Sequence, residues 1–153
     1  MFENTVKALL PRRTPIGLQL ARTAKLVGRS FNDELTAAGG SLPTWLILSA
    51  LLSTAPETQH DVAQAVGIEG PTLTRHLDQL EQAGLVRRAR SSDDRRAVRV
   101  ELTSSGRRLH AALLEVVIAF NRRLTQGLDS AELEALRSSL GRLEANVRAT
   151  PPV

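Results

Sequence analysis

The chain has 153 residues, 42% of them hydrophobic, with 20 basic and 16 acidic side chains and no cysteine. That length suits one domain with a core rather than a two-lobed enzyme, and the lack of cysteine excludes a disulfide framework, a thiolate metal site and a thiol-based oxidant sensor. The isoelectric point of about 10.9 reflects arginine and the absence of titrating tyrosine and cysteine more than the formal charge of +4, so the placement of charge is more informative than its sum.

Residues 1–14, polar and basic with Pro11, read as an arm ahead of Pro15. From there Ile16, Leu20, Ala24, Val27, Phe31 and Leu35 recur at helical spacing, and Ala38-Gly39-Gly40 ends the run. Ser41 and Pro43 have the pattern of a helix start. The helix that follows carries Leu42, Trp45, Leu46, Leu48, Leu51 and Leu52 around most of its circumference and belongs in the middle of the domain. The longest apolar stretch, residues 45–52, is interrupted by Ser49 and far too short to span a bilayer, and the N-terminus has no signal-peptide core. A soluble cytoplasmic protein with no membrane partner is expected.

Residues 58–103 carry the functional pattern. Thr58 and Asp61 fit a capping box that launches a third helix with Val62, Ala63 and Val66 on its inner face. Gly67 permits a tight inter-helix turn, Ile68 plugs the space between the helices, and Pro71 suits the first turn of a fourth helix. That helix buries Leu73, Leu77 and Leu80, and it leaves Thr72, Arg75, His76 and Gln79 on or near its open face, with Thr74 bordering it. After Gln82-Ala83-Gly84, a strand from Leu85-Val86 reaches Ala89 or Arg90, Ser91-Ser92-Asp93-Asp94 makes a turn, and residues 97–102 alternate as a return strand. Six arginines, at 87, 88, 90, 95, 96 and 99, face only Asp93 and Asp94 across this hairpin. Two helices followed by a positive hairpin form the layout of a winged helix-turn-helix that reads duplex DNA. No aromatic residue lies in the basic region, which disfavours single-strand binding by base stacking.

Thr103, Ser104 or Ser105 caps a long fifth helix bearing Leu109, Leu113, Val116, Val117, Phe120 and Leu124. Gly127 interrupts it, Asp129 or Ser130 restarts, and Leu133, Leu136, Leu140, Leu143 and Val147 make a further ladder. These faces exceed what one small core covers, so a homodimer is expected. His60, His76 and His110 fall in different elements without ligand spacing, and no nucleophile or phosphate-loop motif occurs. Neither a metal, a cofactor nor catalysis is expected.

The stretches GIEGPTLTRHLDQLEQAGLVRR and SSDDRRAVRVELT, with Leu20-Ala21-Arg22 and Thr44-Trp45 upstream, resemble the MarR family of bacterial regulators and, within it, the SlyA group most. Gly70 and Thr72 stand where that group usually has Gln and Ser. The resemblance implies a mainly α fold with a small antiparallel β-hairpin: a winged helix-turn-helix with long dimerisation helices. In a single MarR-type domain over 1–153, residues 41–103 form the DNA-binding lobe, and 15–38 with 104–148 the dimerisation region. It implies an imperfect DNA palindrome as partner, with Pro71, Thr72, Thr74, Arg75 and His76 at the major groove. Arg96 would enter the minor groove and Asp94 brace the wing. It also implies a small aromatic or phenolic acid that relieves repression, bound in a cleft whose wall includes Arg22 and Trp45.

Each residue has a plainer reading as well. Arg75 is a base-edge or phosphate contact, or an ordinary helix arginine paired with Asp78. Arg95 and Arg96 are groove contacts or solubilising residues, while Arg88, with Arg87, Arg90 and Arg99, supplies diffuse phosphate attraction. Trp45 is a core residue or a cleft wall, and Arg22 a carboxylate clamp or an interface ion pair. The alternative function is a winged-helix protein-interaction module without sequence-specific DNA binding.

Overall fold

The computed structural model describes residues 14–53, 58–90 and 98–149. Among them lie six helices and two strands: α1 (Ile16–Ala37), α2 (Leu42–Ser53), α3 (Gln59–Val66), α4 (Gly70–Gln82), β1 (Val86–Arg90), β2 (Val98–Leu102), α5 (Ser104–Leu124) and α6 (Ser130–Ala149). The expected arm, and the wing turn with Asp94, Arg95 and Arg96, fall outside the described residues. The described residues fall into two compact units, one ending at Val117 and the other beginning at Ile118.

Local chemistry sets most element boundaries in the first unit. The Ser41 hydroxyl accepts from the Thr44 amide at 3.2 Å to start α2. Thr58 and Asp61 complete the reciprocal box at α3, with amide-to-side-chain distances of 3.2 and 2.9 Å, which satisfies two otherwise orphaned donors. Gly67 takes φ +69° at the end of α3, and the Ile68 amide reaches back to the Ala63 carbonyl at 3.1 Å, so the chain leaves α3 through a left-handed turn without a Cβ penalty.

One core holds these pieces. Ile47 and Leu48 of α2, Val62 of α3, Leu73, Leu77 and Leu80 of α4, and Val86 and Val100 of the hairpin are all buried together. The expected stripe on α4 is thus the buried one, and α2 packs on α3, α4 and β2 as its apolar circumference requires. The strands pair antiparallel with Arg87 opposite Glu101 and Arg88 opposite Val100. Alternation then places Val86 and Val100 inward and Arg87 and Arg99 outward.

The root of the hairpin is tied to α5 by one side chain. The Thr103 hydroxyl lies 2.7 Å from the Gly84 carbonyl and accepts from the Gly106 amide at 3.0 Å, so Thr103 is the residue that caps α5. A second tie crosses the unit, where Ser49 Oγ of α2 sits 3.1 Å from His110 Nε2 of α5.

Of α1 only Leu35 is buried, while Ile16, Leu18, Leu20 and Leu26 are exposed. In the second unit the turn passes through Gly127 at φ +87°. Asp129 and Glu132 then exchange amide bonds of 2.8 Å to start α6. Leu136, Leu140 and Val147 of α6 are exposed, and no residue of that helix is buried. No single helix among the described residues is long and apolar enough to cross a membrane.

Gly106 provides a test of the root packing. A Cβ there would overlap the Leu85 carbonyl oxygen and press on Leu102 Cδ2 at 2.8 Å. Alanine is the better helix former by about 1 kcal/mol, yet Gly106→Ala is expected to lower stability by roughly 1–3 kcal/mol through overpacking. Urea denaturation reads the sign directly, and a stabilised variant would refute the close approach.

Candidate nucleic-acid interface

The candidate surface is the outer side of α4, held by its inner side. With Leu73, Leu77 and Leu80 at 1, 0 and 5% exposure, the helix cannot rotate about its axis without withdrawing apolar surface from the core. Pro71, Thr74 and Arg75 are consequently exposed, and Thr72 and His76 are half-buried beside them. Five of the expected site residues therefore share one helix, in the described part of the helix-turn-helix.

Their hydrogen bonding differs. The Thr74 hydroxyl donates to the Gly70 carbonyl at 3.0 Å, so its proton already has an acceptor and it must turn to donate to a phosphate. Arg75 has neither a hydrogen bond nor an ion pair with any described residue. The plainer expectation, an Arg75–Asp78 pair along the helix, is not what forms. Asp78 Oδ1 lies instead 2.5 Å from Arg88 Nη1, across from strand β1.

Arg88 departs from the expected role of diffuse phosphate attraction. Its Nη1 also meets Glu81 Oε2 at 3.1 Å, its Nη2 lies 3.3 Å from the Thr74 carbonyl, and its own amide donates to Glu81 Oε1 at 2.9 Å. The side chain is 20% exposed. Alternation explains the change, because Arg88 sits opposite Val100 on the strand face that looks toward the core and α4. It fastens the hairpin to α4 through both terminal nitrogens of the guanidinium, while its Nε is buried without a partner among the described residues.

Arg87, on the other strand face, pairs with Glu101 directly opposite at 2.6 Å. Two of the hairpin arginines are thus neutralised locally, and the positive patch is narrower than the sequence suggests. Arg99 is exposed on the same face as Arg87.

Polar side chains on α3 extend the surface in a way the sequence reading missed. An open groove of about 550 Å³ runs between α3 and the start of α4, lined among others by His60, Gln64, Glu69 and Thr74. His60 and Gln64 occupy the positions of α3 that alternate with buried Val62, and this was the available signal.

Among the described residues no hydrogen bond or ring contact links Arg22 to Trp45, the two residues expected to line an effector cleft. Trp45 packs edge-on against Phe31 with ring centroids 6.5 Å apart, and its indole N–H is buried without an acceptor among the described residues. Arg22 is exposed on α1, nine residues before Phe31 and about 13 Å away along the helix axis.

The Arg87–Glu101 pair has a pH signature. The hydrogen bond from Arg87, and then its charge, holds the Glu101 carboxyl below the usual carboxylate range. For an acid lowered in the folded state, the pair's contribution is present above the ordinary carboxylate range and is lost as pH falls through the lowered value. Arg87→Met is expected to move the Glu101 midpoint upward in a carboxyl-detected NMR titration; an unmoved midpoint would contradict the cross-strand pair.

Comparison with known proteins agrees with this architecture. The sequence profile of the MarR family matches residues 41–98. The transcriptional regulator PA3341 is 34% identical, with 89% of this chain and 100% of that one covered and a TM-score of 0.72. CouR from Rhodococcus jostii RHA1, solved with p-coumaroyl-CoA, is 27% identical over 84% of this chain and 90% of its own, with a TM-score of 0.68. MepR of S. aureus, solved in complex with DNA, shares the fold at 20% identity, covering 90% and 99% of the two chains with a TM-score of 0.77. With its winged helix-turn-helix, its matching profile and a regulator one-third identical along its length, the chain belongs to the MarR family.

Proposed function

We propose that this regulator acts as a cytoplasmic homodimer of the SlyA type. It represses transcription by binding an imperfect palindrome in duplex DNA, and a small aromatic acid relieves the repression. The observation that carries the DNA reading is Arg75: it is exposed on the core-locked helix of the motif and unpaired among the described residues. A guanidinium held out in this way is suited to bidentate contact with a guanine edge, with Pro71, Thr72, Thr74 and His76 around it. Arg95 and Arg96, braced by Asp94, would extend the contact to the minor groove. The resemblance supports that part of the reading, as does the preference of arginine for narrow A/T-rich grooves.

Dimerisation is supported by the exposed apolar residues of α1 and α6, including Leu20, Leu26, Leu136 and Leu140, since exposed faces of this length are unusual on a monomer. The DNA reading is tested by selecting duplexes from a random pool and measuring binding to the recovered sequence and a scrambled control across salt concentrations. Symmetric half-sites are expected, with affinity falling steeply with salt for both duplexes. Arg75→Ala is expected to reduce the preference for the selected duplex by about tenfold or more, and equal affinity of the native protein for both duplexes would overturn sequence-specific recognition.

The effector reading rests on Trp45, whose buried indole N–H lacks an acceptor among the described residues, and on the acyl ligand of CouR. Trp45 is the chain's one tryptophan, so titrating salicylate while following its emission reports on that region alone. A saturable change with weakened DNA binding is expected; unchanged emission with unchanged DNA affinity would rule out that ligand class.

A further inference from the structure

Arg75 and Asp78 stand three residues apart on α4, the spacing at which opposite helical charges meet. Asp78 lies between two guanidinium groups: about 60° around the helix on one side is Arg75 on the outer face, and on the other is Arg88, rising from β1. The carboxylate is half-exposed, with 50% of its side chain accessible, so it is free to serve either. Arg88 holds it because its guanidinium is oriented by Glu81 and by the Thr74 carbonyl and is largely shielded from water, whereas an exposed helical pair must order two mobile side chains in solvent.

We propose that Arg88 is a positioning residue for DNA discrimination. By occupying Asp78 from the strand side, it withholds that carboxylate from Arg75 and leaves the Arg75 guanidinium available to the groove. Without Arg88, Asp78 turns to Arg75 and competes with the base edge for its donors. The carboxylate also adds an uncompensated negative charge at a surface that meets phosphates. The inference deepens the proposed function and rests on its reading of Arg75 as a base-reading residue.

The test is an epistasis series in the full chain, scored as the ratio of affinities for the duplex selected from the random pool and its scrambled control. A change in overall charge alters both affinities and leaves this ratio nearly constant. Arg88→Met, which keeps the length of the side chain, is expected to lower the ratio about threefold, part of the loss from removing Arg75. Adding Asp78→Asn is expected to restore it to the value of Asp78→Asn alone, because the competing carboxylate is gone. If Arg88 served only to fasten β1 to α4, removing Asp78 as well would restore nothing. That result, or an unchanged ratio in folded Arg88→Met, overturns the inference while a lowered ratio in Arg75→Ala preserves the DNA reading. An unchanged ratio in Arg75→Ala overturns both. Should circular dichroism show Arg88→Met unfolded, Glu81→Gln loosens the same guanidinium and decides the matter: a smaller loss cancelled by Asp78→Asn supports the positioning role, and no loss overturns it.

Discussion

Burial of Leu73, Leu77 and Leu80 is the constraint from which the rest of the molecule follows. Three leucines on one side of a thirteen-residue helix fix which residues point outward, and each represents about 1.5–3 kcal/mol of burial that any axial rotation would forfeit. The capping box at Thr58, the left-handed Gly67 and Pro71 in the first turn of α4 all set where that stripe meets the core. The side chains that α4 presents outward are therefore decided by packing.

The hairpin supplies the second constraint. Its inner face closes the core through Val86 and Val100, and the arginine between them in register cannot reach solvent freely. Such a guanidinium is tolerable in a half-buried place only with acceptors around it, and Asp78, Glu81 and the Thr74 carbonyl provide them. One arginine thereby settles the distance between wing and reading helix, the charge on the flank of that helix, and the freedom of Arg75 beside it.

What was legible in the sequence was mostly what short-range chemistry determines. Thr58 and Asp61 are three residues apart, the leucine stripe repeats at helical spacing, and the Gly67 turn needs no distant partner. Each of these expectations matches the structure. The role of Arg88 was not legible because it depends on strand register and on carboxylates seven and ten residues away; the local pattern offered Asp78 only Arg75, three residues before it on the same helix. Strand alternation from Val86 pointed Arg88 inward, a signal outweighed by the density of arginines around it. The bond between Ser49 and His110, 61 residues apart, left no local trace at all. For Arg22 and Trp45, common membership of a cleft came from resemblance alone, since no local pattern links two residues on different helices.

Thr103 closes the base of the hairpin with a single hydroxyl, anchored to Gly84 on one side and to Gly106 on the other. That one oxygen both shuts the hairpin at its root and starts the long helix that follows. Local opening of either element therefore strains the other, and the two are expected to fray and exchange amide protons as a single cooperative unit.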